Sequence, residues 1–209
     1  MTTTPPPKDP LTVGFDLDLT LLDTRPGIKA AFVAFSAEVG APIDADLVVS
    51  RLGPPLEQEM AHWFPAEHVA EMTARYRALY PSYAIEPTVP MPGALDAIEA
   101  VREAGGRTIV VTAKNGAHAG LHLDHLGIRP DVVAGGLWAE GKAEALRAHG
   151  AGVYVGDHVG DVRGAATAGA FSVAVATGPC PAEELRAAGA DVVLADLTDF
   201  RAWWEGYRG

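Results

Sequence analysis

Leu11-Thr12-Val13-Gly14-Phe15-Asp16-Leu17-Asp18-Leu19-Thr20 decides the reading of this 209-residue chain. An uncharged, mostly apolar run of strand length ends abruptly in two acids separated by one residue, followed by a hydroxyl. Four similar runs lie downstream: Thr108-Ile109-Val110-Val111, Gly152-Val153-Tyr154-Val155, Phe171-Ser172-Val173-Ala174-Val175 and Asp191-Val192-Val193-Leu194. Asp131-Val132-Val133 is a weaker sixth. Short runs without polar alternation suit strands covered on both faces.

Helix-patterned segments separate most of these runs. Ala94, Leu95, Ile98 and Val101 recur at helical spacing, and Gly105-Gly106 stops them. Leu121, Leu123 and Leu126 mark another helix, ended by Gly127, and residues 142–149, 162–168 and 182–188 read as three more. From about residue 93 onward strand and helix alternate, which predicts an α/β fold with a parallel sheet and right-handed crossovers.

Residues 24–88 differ. Their only β-branched run is the marginal Val48-Val49. Apolar residues recur helically through Ile28, Phe32, Phe35 and Val39, and again through Val69, Met72, Tyr76 and Leu79. Pro42, Pro54-Pro55 and Pro65 cut the stretch into pieces. It reads as a small helical insert after the first strand. The expected organisation is a tail at 1–10, a core from 11–23 plus 89–209, and the insert at 24–88.

Composition narrows the function. The net charge is −11, against a nucleic-acid binder, which needs a basic face toward phosphates. No apolar run approaches the roughly 20 residues of a membrane helix. Residues 1–10 hold four prolines and no basic-then-apolar pattern, so they read as a disordered tail and not a signal peptide. Cys180 is the single cysteine, which fits a reducing cytoplasm and a small loop or core residue. No feature chooses between a monomer and a homodimer.

Open parallel sheets bind ligands at the carboxyl ends of their strands. The first run ends in Asp16 and Asp18, the second in Thr112, and the third in Gly156-Asp157 with Asp161 four residues on. Asp16 has the chemistry of a carboxylate nucleophile. Asp18, if the chain is still extended there, points to the same side and suits general acid–base work. Thr112 offers a hydroxyl to a phosphate oxygen. Asp157 and Asp161 are hard oxygen ligands of the kind Mg²⁺ prefers. Phosphoryl transfer also needs positive charge. After Thr112 the chain has only Lys114 and Lys142 as lysines, and Lys142, which opens a helix, is the better placed.

Taken together these residues resemble the haloacid dehalogenase-like hydrolases, in particular their phosphoglycolate phosphatase-like branch. The resemblance rests on GFDLDLTLLDT (14–24), IVVTAKN (109–115), Lys142 in GKAEAL, VYVGDHVGDVRGAATAG (153–169) and the approach MPGALDAIEAVREAGGR (91–107), and spans about residues 11–200. It implies a Rossmann-like parallel-sheet core with a helical cap at the position of the insert, closing over substrate. It implies that Asp16 becomes an aspartyl phosphate and that Asp18 protonates the leaving group, then activates water. It implies that Thr112 and Lys142 hold phosphoryl oxygens; Thr20, Ala113 and the insert residue Arg51 are further candidates for phosphate or substrate binding. Mg²⁺ is implied at Asp16, the backbone carbonyl of Asp18, and Asp157, with Asp161 binding or supporting it. One position departs from the family pattern: Leu19 stands where Gly is usual.

Within the family, Asp18 argues against dehalogenase chemistry. Residues 30–113 hold no lysine for a phosphonate-cleaving Schiff base. Gly53 is followed by Pro54, Pro55 and Leu56, so the cap-loop arginine of sugar phosphomutases is missing. The expected activity is hydrolysis of a small phosphorylated metabolite such as phosphoglycolate, a sugar phosphate or a nucleotide. The rivals are a phosphotransferase or mutase of the same fold, and a catalytically weak phosphate-binding or signalling protein like a receiver domain. The insert speaks against the receiver domain. Arg51, His62, Arg75 and Arg77 are candidates to meet an anionic group, and Lys114 and His158 are further neighbours of the site.

Overall fold

The structure is a computed structural model that describes residues 11–208, so the expected tail at 1–10 lies outside the described residues. Eight strands and eleven α-helices run in the order β1 (Thr12–Phe15), β2 (Leu22–Asp23), α1 (Arg25–Val39), α2 (Ala45–Val49), α3 (Leu56–Met60), α4 (Ala66–Leu79), α5 (Pro81–Ala84), β3 (Val89–Pro90), α6 (Ala94–Glu103), β4 (Arg107–Val111), α7 (Gly116–His125), β5 (Val132–Ala134), α8 (Lys142–Ala148), β6 (Ala151–Gly156), α9 (Val159–Ala168), β7 (Phe171–Val175), α10 (Ala182–Ala187), β8 (Val192–Leu194) and α11 (Phe200–Arg208). None of these helices is long and apolar enough to cross a membrane.

Six strands form one parallel sheet in the order β5-β4-β1-β6-β7-β8. The chain builds outward from β1 through β4 to β5, then crosses back and builds the other way from β6. The reversal flanks β1 and opens a crevice at its carboxyl end. Residues following β1, β4 and β6 must therefore meet there.

Both faces of the sheet are covered, which explains the unbroken apolar runs. On one face Val13, Phe15, Val110, Val153 and Val155 pack with Ile98 and Val101 of α6 and with Phe200 and Trp204 of α11. On the other, Ile109, Val111 and Tyr154 pack with Leu146 of α8 and Ala165 of α9. Gly14 sits at the centre of that second face, where a β-carbon would lie 2.9 Å from both Leu146 and Tyr154. Trp204 closes the core and donates Nε1–H to the Ala100 carbonyl at 3.2 Å. Cys180 is buried beside Val162, Ala174 and Leu185, a core residue.

Helices α1 to α5 gather a separate apolar cluster around Phe32, Phe35, Met60 and Tyr76. Phe35 and Tyr76 meet edge to face at 5.6 Å. The segment leaves and rejoins the sheet through β2 and β3, which pair antiparallel as Leu22 with Pro90 and Asp23 with Val89. Val48-Val49, marginal as a strand, is the end of helix α2. The side chain of Asp44 accepts two amide hydrogens at its start, and that cap outweighs a weak β preference. Helix α9 begins at Val159, earlier than the apolar spacing suggests, because His158 and Asp161 form a reciprocal cap.

Candidate active site

Asp16 follows β1 directly and its amide donates to the Val155 carbonyl of β6 at 2.8 Å. Asp157 follows β6, and Asp161 stands one turn into α9. One carboxylate oxygen from each of Asp16, Asp157 and Asp161 lies within 4.8 Å of the others. All three residues are buried.

Lys142, 1% exposed, enters this cluster from the start of α8. Its Nζ donates to Asp16 Oδ1 at 2.9 Å, to Asp161 Oδ1 at 2.6 Å and to the Tyr154 hydroxyl at 2.8 Å. That accounts for all three ammonium hydrogens. The Tyr154 hydroxyl in turn donates to the Val111 carbonyl at 2.7 Å. Asp161 is held at its other oxygen by the His158 amide at 3.1 Å. Asp157 accepts from the Thr20 hydroxyl at 2.8 Å. Its far side is bounded by Gly178, where a β-carbon would fall 1.8 Å from Asp157 Oδ2.

One ammonium faces three buried carboxylates, and the electrostatics follow. Burial pushes the Asp16 carboxyl up to about 7, against the pull of Lys142 and with the push of Asp161. Burial, then the charges of Asp161 and Asp16, raise Asp157 well above the usual carboxylate range. Burial works against the Lys142 charge, yet Asp16 and Asp161 hold its pKa above that of an ordinary lysine. The donor set suits a small hard cation: oxygen ligands only, with negative charge in excess of the one lysine.

Asp18 stands apart from this cluster. The chain bends at Leu17, so it is not extended through Asp18. The Asp18 side chain accepts from the Thr24 hydroxyl at 2.5 Å and meets Lys114 Nζ at 3.1 Å. Lys114 also donates to the Tyr80 hydroxyl at 2.9 Å, and that hydroxyl lies 2.8 Å from Nε2 of His122. Tyr80 belongs to the helical insert and His122 to α7, so the relay bridges the two layers. Burial and then the Lys114 charge push His122 down to about 4, which leaves its ring neutral. Lys114 donates into the Tyr80 oxygen, so the hydroxyl hydrogen is free to meet Nε2.

Leu19 has φ +60, the left-handed region, and is only 3% exposed. Its carbonyl accepts from Thr177 Oγ1 at 2.5 Å. The backbone shape that glycine would favour is therefore present, held by burial and by Thr177.

A haloacid dehalogenase-like hydrolase family model matches residues 13–166, the span that contains every carboxylate of this site. The chain belongs to the haloacid dehalogenase-like hydrolases. A second model of HAD-like hydrolases matches residues 142–200. Tyrosine-protein kinase PtkA of Mycobacterium tuberculosis is 32% identical over 187 residues, covering 83% of this chain and 64% of that protein. The chain thus spans just under two thirds of the length of that relative. A phosphoglycolate phosphatase of Caulobacter vibrioides is 29% identical over 217 residues, covering 90% of this chain and 88% of its own. Among solved structures, a haloacid dehalogenase-like family hydrolase from Streptococcus pneumoniae superposes with a TM-score of 0.82 at 25% identity, covering 93% of this chain and 98% of the other.

Within this HAD frame the structure brings Asp16, Asp157, Asp161 and Lys142 into one cluster. Thr112, buried after β4, accepts the Lys114 amide at 3.2 Å and keeps its hydroxyl hydrogen for another partner. Thr20 is engaged with Asp157, so it orients a carboxylate rather than presenting a free hydroxyl. Asp18 is outside the three-carboxylate cluster by its side chain. Ala113 and Arg51 line a neighbouring cleft. Arg51 is not a free cation: it is paired with Glu59 at 2.5 Å. Arg75 pairs with Glu38 at 2.9 Å on the surface, away from the cleft lining. His158 caps α9 through Nδ1, which accepts from the Gly160 amide at 3.0 Å.

Sequence reasoning missed Tyr154, Thr24, Tyr80, His122 and Gly178. Tyr154 had a signal: it is the one polar-tipped side chain in the run 152–155. The others owe their place to contacts across the chain.

Proposed function

We propose that this protein is a Mg²⁺-dependent phosphatase of a small phosphorylated metabolite, acting through an aspartyl phosphate on Asp16. The observation that carries this reading is the convergence of Asp16, Asp157, Asp161 and Lys142 at the switch point of the sheet.

An Asp16 carboxylate oxygen attacks phosphorus. The bond from phosphorus to the ester oxygen breaks, and that oxygen takes a proton from Asp18. Asp18, now a carboxylate, removes a proton from water, and the resulting oxygen displaces Asp16 from phosphorus. Inorganic phosphate leaves and both acids return to their starting states. Lys142 and the Thr112 hydroxyl hold the phosphoryl oxygens. Asp16, Asp157 and Asp161, with the Asp18 carbonyl, would hold the metal. Bound Mg²⁺ supplies the positive charge that lets an anionic carboxylate approach an anionic phosphoryl group. Helices α1 to α5 act as the cap, excluding bulk water while Asp18 works. A cytoplasmic setting accords with the single unpaired cysteine.

Purified protein should release inorganic phosphate from an aryl phosphate with Mg²⁺, stop on addition of EDTA, and lose at least about 1,000-fold of its turnover in Asp16→Asn. Unchanged turnover in that variant would refute the assignment of the nucleophile. A second reading, transfer to an acceptor other than water, draws on the relative named a tyrosine-protein kinase. Partition of phosphate between water and an added phenolic acceptor separates the two.

A further inference from the structure

Beside Asp18, between the sheet and the helical insert, lies a cleft of about 210 Å³. A leaving group protonated by Asp18 must occupy it. Part of the insert side of the cleft is apolar, formed by Ile28, Phe32, Val48, Leu52, Leu56 and the ring of Tyr76, and the rest of it is polar.

Three cationic side chains also reach the cleft: Arg51 and Arg77 are paired with carboxylates of the insert, and Lys114 is paired while Asp18 is ionised. Arg51 meets Glu59 through two contacts, at 2.5 and 3.2 Å. Glu59 is fixed further by Trp63 Nε1–H at 2.7 Å. Arg77 meets Glu57 at 2.8 Å, and Lys114 meets Asp18 at 3.1 Å. His118 stacks on Tyr80 with ring centres 4.7 Å apart. Burial, then Lys114 and Arg77, keep that imidazole below its ordinary pKa and therefore neutral. Apart from His62, exposed at the rim, and Lys114 when Asp18 carries its proton, no unpaired basic group lines the cleft among the described residues.

A carboxylate entering the insert side of this space would lose its water and find Arg51 and Arg77 already neutralised by Glu59 and Glu57, which is costly. An aromatic or branched aliphatic group would bury apolar surface against the insert at a gain. Gln58 and Asn115 also line the cleft, and one polar atom there is buried and unmet. Tyr76 is 3% exposed and its hydroxyl has no hydrogen-bond partner. Such an orphan is expensive until something meets it.

We propose that the leaving group of the substrate is a neutral, largely apolar alcohol, aryl or branched aliphatic, with room for one hydrogen-bonding atom at Tyr76, and that the Arg51–Glu59 pair excludes carboxylate-bearing leaving groups. The inference rests on the phosphatase reading above and specifies its substrate class.

Steady-state phosphate release from 2-phenylethyl phosphate and from 2-phosphoglycolate, both with saturating Mg²⁺, tests it. The wild-type enzyme should favour 2-phenylethyl phosphate by at least about tenfold in kcat/KM. Glu59→Gln keeps an acceptor for Trp63 but frees the Arg51 charge. It should shift the ratio toward phosphoglycolate by at least about fivefold. A wild-type preference for phosphoglycolate, or a ratio that Glu59→Gln does not move, overturns this proposal and leaves the phosphatase reading standing. Release from neither substrate overturns both.

Discussion

Nζ of Lys142 stands 2.9 Å from Oδ1 of Asp16, with 126 residues of chain between them. The pair is buried, and Asp161 shares the same ammonium. Lys142→Met would strand three carboxylates without a counter-charge. We expect a stability loss of about 3–5 kcal/mol in urea unfolding without metal, part of which Mg²⁺ restores. Activity should fall at least about 100-fold. Lys142→Arg should rescue neither property, because a planar fork cannot serve three partners arranged around one nitrogen.

Gly178 sets the position of Asp157 by having no side chain. In Gly178→Ala the new methyl would overlap Asp157 Oδ2. The wild-type protein should gain melting temperature with Mg²⁺, by about 2.7 kcal/mol of stability at 100 times Kd. That gain should disappear in Asp157→Asn and be strongly reduced in Gly178→Ala, as calorimetry with and without EDTA would read.

Leu19 tests strain against burial. Its φ of +60 is costly for any residue with a β-carbon. Both Leu19→Ala and Leu19→Gly lose the buried side chain, but only glycine relieves the backbone. Glycine should therefore be the more stable variant, by about 1 kcal/mol, reversing the order seen at ordinary positions. Thermal unfolding of the two proteins decides it.

His122 gives the protein an acid-side liability. Its pKa is about 4 when folded and about 6.5 when the chain is unfolded. Above pH 6.5 both states are neutral and the full stability is present. As pH falls from about 6.5 to 4 the unfolded chain binds a proton that the folded one refuses, so stability falls. The loss from this residue alone is up to about 3 kcal/mol. His122→Gln should flatten the slope of urea-unfolding stability against pH in that window and leave pH 8 behaviour closer to wild type.

The sheet was legible because its strands are short, mostly apolar runs, and β1, β4 and β6 lead directly into Asp16, Thr112 and Asp157. β7 coincides with the run at 171–175, and β4 and β6 differ from their runs by a residue or two. The three clustered acids were legible because strand ends and a helix turn fix their place. Other features depend on partners far along the chain. Thr20 looked like a free hydroxyl until Asp157, 137 residues away, accepted its hydrogen bond. Arg51 looked like an anion receptor until the turn through α3 laid Glu59 against it. The departure of Asp18 from the extended course came from the bend at Leu17, which an apolar residue between two acids does not announce. α11 was legible but unread: Phe200, Trp203, Trp204 and Tyr207 recur at helical spacing.

The narrow ribbon of β2 and β3 has a last consequence. The outgoing and returning strands of the insert are zipped side by side, so residues 24–88 join the sheet layer through one two-stranded stalk, with the contacts of Tyr80 to Lys114 and His122 beside it. A transplant cut at those two points would disturb one antiparallel pair and the Tyr80 contacts, and leave the register of the six-stranded sheet alone. On the proposed function, the insert would be an interchangeable head that selects substrate, and the sheet layer a fixed base that handles phosphate.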